Sequence, residues 1–199
     1  MDINIDGGIL SGGMSTRMQG RDKGLQHFKE KPLAYWVNQA LEPFVNKVHL
    51  NCNRYFSEYQ TICSSICSDT FENFQGPLAG LVSLMEKSTA DFLLVSPCDT
   101  PLLGKTFGSE MLAFLTTQLE NNPHDKILFA AKDQTREHPL HLCISTSYKN
   151  DLVNALNEGN RKVMQWANSN HVVWLDLANS SVNFENFNRL EDLENRGRL

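Results

Sequence analysis

The sequence contains neither a membrane-spanning segment nor the start of a signal peptide. No apolar run approaches the roughly 18 to 20 residues that cross a bilayer. Residues 1–8 lack a cationic start followed by a long apolar stretch. We therefore expect a cytoplasmic protein that makes no membrane contact.

The sequence also lacks an excess of positive charge. Lys and Arg together number 18 against 23 Asp and Glu, so the formal net charge is -5. Nucleic acids and anionic membranes repel such a chain at long range, which argues against both as main partners.

Cysteine is sparse and shows no paired spacing. The sequence has no C-x-x-C motif and an odd number of cysteines, so we expect neither a disulfide framework nor a zinc site. His138 and His141 could be read as a metal pair, but Pro139 between them disrupts helical geometry and no thiol or carboxylate cluster adjoins them. We expect reduced thiols at Cys52, Cys63, Cys67, Cys98 and Cys143.

What the sequence does contain is the pattern of one α/β domain over residues 1–199. Apolar residues make up 41% and charged residues 21%, which is ordinary for a globular domain. Short apolar runs alternate with helical patterns, which predicts a three-layer, Rossmann-like, mostly parallel sheet with helices on both faces. The short polar stretch between the strands of 127–144 indicates an antiparallel portion. Strands are predicted at 3–10, 47–51, 62–68, 92–96, 126–131, 140–144 and 171–175, and helices at 33–41, 111–119, 148–157, 162–168 and 190–196.

A glycine pair, Gly12-Gly13, follows the first strand directly. Such a turn lets backbone N–H groups approach an anion without obstruction by a Cβ atom. Five basic and two acidic residues between Arg17 and Lys31 give this region a charge of +3. The segment therefore predicts a phosphate site in which Arg17 and Lys23 neutralise the phosphate oxygens. The patterns G-x-x-x-x-G-K-[ST] and G-x-G-x-x-G are both absent, which disfavours an ordinary P-loop NTPase and a dinucleotide-dependent dehydrogenase.

Asp99 follows the apolar strand of 92–96, between Pro97 and Pro101. A carboxylate there would lie at the carboxyl end of a central strand, where ligands of open α/β sheets bind. Mg²⁺ prefers one or two carboxylates together with phosphate oxygens, so Asp99 is the candidate metal ligand, with Mn²⁺ as the alternative ion. By residue type alone, an Asp that opens a turn explains the position equally well.

Several motifs together resemble the molybdenum cofactor guanylyltransferases, a family within the nucleotidyltransferases. The resemblance runs from about residue 5 to about residue 195. The first loop and the Asp99 segment alone would indicate only a nucleotidyltransferase, and the later motifs narrow the resemblance. The matching segments are Leu10-Ser11-Gly12-Gly13, Arg17-Met18, Asp22-Lys23-Gly24-Leu25, Lys31-Pro32-Leu33, Gly76-Pro77-Leu78-Ala79-Gly80, Pro97-Cys98-Asp99-Thr100-Pro101, Arg136-Glu137-His138-Pro139, Arg161-Lys162-Val163-Met164 and Phe184-Glu185-Asn186-Phe187-Asn188.

The resemblance implies transfer of GMP from magnesium-bound GTP to the phosphate of molybdenum-bearing molybdopterin, with release of pyrophosphate. Residues 1–105 would bind the nucleotide and residues 106–199 the pterin. Catalytic roles fall to Arg17, Lys23 and Asp99, and pterin contacts to Arg161, Asn186 and Asn188. Asn186 and Asn188 alternate with Phe187, so an extended segment would place both amides on one face. Nucleotide contacts are implied for Leu10, Ser11, Gly12, Gly13, Lys23, Asn51, Asp69, Gly76, Pro77, Leu78 and Asp99.

Other functions stay open at this stage. One alternative is a nucleotidyltransferase that uses CTP for the pterin or acts on a sugar phosphate, and another is a GTP-binding module without catalysis. For the guanylyltransferase, transient contacts with the proteins that insert molybdenum and with molybdoenzymes are further expectations.

Overall fold

A seven-stranded sheet runs through the centre of the protein. The computed structural model describes residues 3–12, 22–71, 76–121, 126–188 and 192. Within these residues the strands of the sheet are β1 (Ile5–Leu10), β4 (Val48–Asn51), β5 (Ser65–Cys67), β6 (Phe92–Pro97), β7 (Leu128–Lys132), β8 (Glu137–Ser145) and β9 (Val173–Asp176). Their order across the sheet is β5-β4-β1-β6-β8-β7-β9. Two short strands, β2 (His27–Phe28) and β3 (Lys31–Pro32), form a separate antiparallel pair.

The sheet is parallel except at β8. Strand β1 pairs in parallel with β4 and β6, β4 with β5, and β7 with β9. Strand β8 runs antiparallel to both β6 and β7. The turn between β7 and β8 is short, and a short turn can join only antiparallel neighbours. The predicted antiparallel portion between 127 and 144 is therefore confirmed.

Helices cover both faces of the sheet and produce two hydrophobic cores. On one face α1 (Leu33–Leu41) and α4 (Gly104–Asn121) pack against the strands, and Tyr59 of α2 (Phe56–Gln60) joins the same core. On the other face lie α3 (Pro77–Lys87), α5 (Lys149–Asn157) and α6 (Val163–Ser169). This arrangement confirms the predicted three-layer α/β fold.

The element boundaries differ from the sequence prediction in a few places. Helix α1 begins and ends as predicted. Helix α4 begins at Gly104 rather than at 111, and the prediction missed its first two turns because they lack a strong apolar stripe. Strand β9 begins at Val173, since His171 has a φ of 55°, which no strand residue adopts. A short strand over 62–68, which ends before Asp69, was predicted and contains β5, whereas β2, β3 and α2 were missed. The predicted helix at 190–196 lies almost entirely outside the described residues.

None of the helices in the described residues is long and apolar enough to cross a membrane. All five cysteines are free thiols. Burial and the neighbouring Asp99 carboxylate raise the pKa of Cys98 to about 12, so this thiol stays protonated beside the candidate site.

Candidate active site

The carboxyl ends of β1, β4, β5 and β6 bring several of the site residues predicted from sequence to one edge of the sheet. Leu10 is the last residue of β1, and its register partner in β4 is Asn51. The backbone N–H of Ser11 donates to the carbonyl of Asn51 at 2.9 Å, and that of Cys98 donates to the carbonyl of Leu10 at 3.0 Å. Open α/β sheets bind their ligands at this edge, so these residues lie together where a ligand site is expected.

Asp69 is held there by two asparagines. Asn51 donates from Nδ2 to Oδ1 of Asp69 at 3.0 Å, and Asn53 donates from Nδ2 to Oδ2 at 2.7 Å. The backbone N–H of Asp69 donates to Oδ1 of Asn53 at 2.9 Å. The carboxylate is therefore fixed in one orientation. Sequence reasoning missed Asn53, although its spacing of two from Asn51 just after a strand was the available signal.

Two glycines allow the backbone to approach Asn51 closely. A Cβ atom on Gly12 would lie 2.9 Å from Oδ1 of Asn51, and one on Gly80 would lie 2.8 Å from the same oxygen. The Gly12 position is also 3.6 Å from Oδ2 of Asp69. A side chain at either glycine would displace Asn51. Gly12 is therefore packed directly against the cluster of Asn51, Asn53 and Asp69.

The segment Gly76-Pro77-Leu78 begins α3. Gly76 has a φ of 77°, a left-handed conformation that glycine adopts without strain, and Pro77 occupies the first helical turn. The Leu78 side chain is fully buried in the core on this face. A Cβ atom on Gly76 would lie 3.6 Å from the carbonyl oxygen of Arg161.

Arg161 therefore lies beside the segment predicted to bind nucleotide. Its guanidinium donates from Nη1 to the carbonyls of Leu156 at 2.6 Å and Asn160 at 3.1 Å. The side chain is thus used within its own loop in this structure.

Lys23 joins the two halves of the candidate site. Its Nζ forms an ion pair with Oδ2 of Asp99 and donates to Oδ1 of Asn188 at 2.6 Å. The backbone N–H of Phe187 donates to the carbonyl of Asp99 at 2.8 Å. The C-terminal segment is therefore attached to the turn that carries Asp99.

One oxygen of the Asp99 carboxylate has no hydrogen-bond partner among the described residues. Asp99 is 8% exposed, and this oxygen, Oδ1, is buried. A buried carboxylate oxygen without a donor is costly unless a ligand satisfies it, and Mg²⁺ prefers such oxygens. This single carboxylate oxygen suits a hard divalent cation, although the described residues bring no group of three or more His, Cys, Asp or Glu side chains together.

The segment 186–188 shows the alternation that its sequence predicts. Phe187 is fully buried against Phe28, with ring centroids 5.0 Å apart, while Asn186 and Asn188 are partly exposed. Arg136 donates from Nη2 to Oδ1 of Asn186 at 2.7 Å. The β7–β8 turn and the C-terminal segment are thereby joined.

A cavity of about 600 Å³ lies between that turn and the C-terminal segment. His138 stacks on Phe184 in its wall, with centroids 4.2 Å apart. Desolvation raises the pKa of Asp133, but hydrogen bonds from Thr135, His138 and Arg136 outweigh it and hold that pKa below its usual range. The cavity is lined by Asp133, Thr135, Arg136, His138, Ser180, Ser181, Val182, Asn183, Phe184, Glu185, Asn186 and Asn188.

His141 supports the Asp99 turn from inside the core. Its Nε2 lies 3.2 Å from the hydroxyl of Thr100 and its ring packs edge-on against Phe184. Burial lowers the pKa of His141 to about 3, so the ring is neutral. The two histidines weighed as a metal pair are thus buried among aromatic rings, and each makes a hydrogen bond within the fold. Gly13 and Arg17, both assigned to the phosphate site from sequence, lie outside the described residues.

The strand order and the acid after β6 are typical of Rossmann-like α/β proteins that bind ligands at the carboxyl edge of the sheet. Comparison with known proteins gives the family: residues 7–172 match the MobA-like NTP transferase domain, and the chain belongs to this family. It is 36% identical over 195 residues to the molybdenum cofactor guanylyltransferase of Haemophilus influenzae, covering 98% of each chain. It is 32% identical over 197 residues to that of Shewanella halifaxensis, covering 99% of this chain and 96% of the relative.

Solved structures show the same fold. The molybdopterin-guanine dinucleotide biosynthesis protein A from Archaeoglobus fulgidus superposes with a TM-score of 0.72 at 21% identity, covering 97% of both chains. A CMP:2-keto-3-deoxy-manno-octonic acid synthetase complexed with CTP gives a TM-score of 0.71 at 12% identity, covering 100% of this chain and 98% of the other. At these identities the superpositions establish the fold alone.

Proposed function

We propose that this protein transfers GMP from GTP to the phosphate of molybdenum-bearing molybdopterin and releases pyrophosphate. The observation that carries the proposal is the position of Lys23, whose Nζ contacts both Asp99, the candidate metal ligand, and Asn188, the candidate acceptor-side amide. Support for this substrate pair comes from near-full-length relatives named molybdenum cofactor guanylyltransferase.

The reaction requires positioning and charge neutralisation more than proton transfer. An oxygen of the acceptor phosphate attacks the α-phosphorus, the bond from that phosphorus to the bridging oxygen breaks, and pyrophosphate leaves with the electron pair. The acceptor phosphate is already anionic, so no general base and no covalent enzyme intermediate are needed. In this proposal Lys23 and Arg17 neutralise the β- and γ-phosphate oxygens.

Asp99 would hold the Mg²⁺ that accompanies the triphosphate, through the Oδ1 that has no donor among the described residues. When bound, the ion supplies positive charge to the phosphate oxygens on which negative charge develops. Mn²⁺ has similar ligand preferences and is the alternative ion.

The Asp69 cluster would read the base. A carboxylate accepts two N–H groups, and guanine presents two adjacent N–H donors on its pairing edge, whereas cytosine presents an amino group next to an acceptor. Asn51 and Asn53 fix the carboxylate in one orientation. Repulsion between the carboxylate and the cytosine acceptor would then discriminate against CTP.

The 600 Å³ cavity would receive the pterin. Asn186 and Asn188 lie in its lining, and amides match the alternating donors and acceptors of a pterin ring. Arg161 is proposed to meet the molybdopterin phosphate, which requires its guanidinium to leave the carbonyls of Leu156 and Asn160. A cytoplasmic location and transient contacts with molybdenum-insertion proteins and molybdoenzymes belong to the same proposal.

The experiment is pyrophosphate release by the purified protein with molybdenum-bearing molybdopterin and either GTP or CTP, with Mg²⁺, with Mn²⁺ or with chelator. We expect release with GTP and a divalent ion, and little with CTP or chelator. Asp99→Asn should lower turnover by about 100-fold or more, because it removes a metal-binding charge near the reacting phosphates.

A matched control exists at the opposite edge of the sheet. Asp151 pairs with Lys126 at 2.7 Å on the surface, so Asp151→Asn removes an equivalent charge far from the site and should retain wild-type turnover. No pyrophosphate with GTP, or equal rates with GTP and CTP, would overturn the proposal.

A further inference from the structure

Three buried polar side chains form a continuous hydrogen-bonded chain behind the glycine loop. The Tyr59 hydroxyl donates to Oδ1 of Asp22 and is also hydrogen-bonded to the hydroxyl of Ser11. Tyr59 is completely buried, and Ser11 and Asp22 are each 7% exposed. The three residues come from separate segments: Ser11 follows β1, Asp22 precedes Lys23, and Tyr59 lies in α2.

The partners of Tyr59 are both in segments of the candidate site. A buried hydroxyl must find hydrogen-bond partners, and a phenylalanine would fill the same core volume without that requirement. Here the Tyr59 hydroxyl joins the glycine loop, through Ser11, to the segment that carries Lys23, through Asp22. The Ser11 hydroxyl takes part in this bridge and also contacts the Cys98 thiol, so its side chain is a structural member of the loop.

Gly24 leaves room for this hydrogen-bonded network because it has no side chain. A Cβ atom on Gly24 would lie 2.5 Å from the Ser11 hydroxyl oxygen and would also collide with the Tyr59 hydroxyl. The glycine directly after Lys23 thus lets the lysine segment lie against the hydroxyl pair.

The backbone on both sides of Lys23 is anchored. Gln26 donates from its side chain to the carbonyl of Asp22 at 2.8 Å and from its backbone to the carbonyl of Lys23 at 3.1 Å. The Asp22 carboxylate is a further anchor, and it is held by the Tyr59 hydroxyl together with the backbone N–H groups of Gly24 and Leu25. Its second oxygen lies 4.0 Å from Nη2 of Arg54, which is too long for a hydrogen bond.

We propose that Tyr59 is a positioning residue, whose hydroxyl fixes Asp22 and thereby places the Lys23 ammonium against the leaving pyrophosphate. This inference rests on the proposed nucleotidyl transfer for the identity of the leaving group. Burial raises the pKa of Asp22 and the hydrogen bond from Tyr59 opposes that shift, so the hydroxyl also favours the charged carboxylate.

The test is a double-mutant cycle between Tyr59→Phe and Lys23→Met. Binding of inorganic pyrophosphate in buffer containing Mg²⁺, measured by calorimetry, is the first readout, and turnover of GTP is the second. Tyr59→Phe should weaken pyrophosphate binding and lower kcat by about ten-fold, with the KM for the acceptor unchanged. In the Lys23→Met background the same change should have little further effect, because Tyr59 acts through the lysine.

A matched control is Tyr148→Phe, which removes a hydroxyl from a buried tyrosine in the core on the opposite face of the sheet. It should change neither readout by more than about two-fold. Two substitutions at Asp22 give a further comparison. Asp22→Asn keeps an acceptor for the Tyr59 hydroxyl, so it should retain more activity than Asp22→Ala. If Tyr59→Phe does not fold, Asp22→Ala takes its place in the cycle.

The inference is overturned if Tyr59→Phe shows wild-type binding and kcat, or if the loss is equal with and without Lys23. A wild-type protein that binds no pyrophosphate overturns it as well. Failure of the proposed function gives a different result. In that case the double-mutant cycle of pyrophosphate binding behaves as expected, while GTP and molybdopterin release no pyrophosphate.

Discussion

Lys23 has two partners in this structure, one in the Asp99 turn and one in the C-terminal segment. Its ammonium forms an ion pair with Asp99 and a hydrogen bond with Asn188. A triphosphate and a divalent cation would each compete for one side of this ion pair. The ion pair thus neutralises two charges of the candidate site by each other.

Replacing this lysine should separate catalysis from metal binding. Lys23→Met should lower kcat by about 100-fold, because it removes positive charge from the leaving group. The same variant should bind Mn²⁺ more tightly without nucleotide, because Asp99 no longer has a competing cation. Pyrophosphate release and electron paramagnetic resonance of bound Mn²⁺ measure the two effects. The control is Lys126→Met, which breaks the surface pair with Asp151; weaker Mn²⁺ binding in Lys23→Met would contradict the competition.

Asn53 should act on nucleotide affinity rather than on the chemical step. Asn53→Leu removes the donor to Oδ2 of Asp69 and the acceptor for its N–H group, so the carboxylate loses its fixed orientation. We expect the KM for GTP to rise about ten-fold, with kcat within two-fold of wild type.

The control for Asn53 is another amide pair. Asn46 donates to Asn4 at 3.0 Å on the surface, so Asn46→Leu should leave the kinetics unchanged. A fall in kcat at unchanged KM in Asn53→Leu would show that Asp69 does not read the nucleotide.

Some of these residues could be found from the sequence and others could not. Asp99 and Asn51 follow apolar strands, so the rule for parallel sheets places them at the ligand edge. Tyr59 and His141 have no such signal, because their partners Ser11 and Thr100 lie 48 and 41 positions away. Which remote hydroxyls meet in a core depends on packing, and single-residue patterns carry no information about it.

A second polar network ties together the elements at one side of the sheet. His49 of β4 contacts Ser65 of β5 at 2.7 Å through Nδ1 and Asp6 of β1 at 2.9 Å through Nε2. Ser88, directly after α3, donates to the same Asp6 oxygen at 2.6 Å. The three strands and the end of the helix are thus joined by one buried histidine.

Removing that histidine should destabilise the fold without touching the site. In His49→Leu the buried Asp6 carboxylate loses a partner, which should cost about 3 kcal/mol in the free energy of unfolding. Urea denaturation measures this loss, and kcat of the folded variant should stay at the wild-type value. The exposed His27→Leu serves as the control, with a change of about 0.5 kcal/mol or less. A stability loss of similar size in both variants would show that the network contributes little.

The elements that sequence patterns missed are the short ones. Strands β2 and β3 have two residues each and α2 has five, too few for a period of two or 3.6 to be recognised. These elements form because each finds a partner in the fold: β2 and β3 pair with each other, and Tyr59 of α2 is buried in the core. Longer elements such as α1 carry their own amphipathic pattern and were predicted correctly.

At the scale of the whole molecule, the acidic total conceals how the charge is distributed. The net charge is -5, yet the segment from Arg17 to Lys31 carries +3. In the described part of that segment, Lys23 is next to Asp99 and Asp22 is buried. Of the bases in this segment, the structure therefore places Lys23 at the carboxyl edge of the sheet, beside an acid.

The buried histidines should make the stability of the whole molecule depend on pH. Burial lowers the pKa of His141 to about 3, against about 6.5 in an unfolded chain. Between these values the unfolded state binds one more proton than the folded state, so stability falls as the pH is lowered. His138, whose pKa burial also lowers, acts in the same direction.

The contribution of His141 to this pH dependence of stability can be measured separately. His141 should remove up to about 1.4 kcal/mol of stability per pH unit below pH 6.5, which is about 2 kcal/mol between pH 6.5 and 5. Urea denaturation of wild type and His141→Leu at both pH values isolates the contribution, because the other titrating groups are common to the two proteins. The variant should be less stable near neutral pH, since Thr100 loses its partner, yet should lose less stability on acidification. Parallel stability curves for the two proteins would mean that His141 is protonated within the folded core.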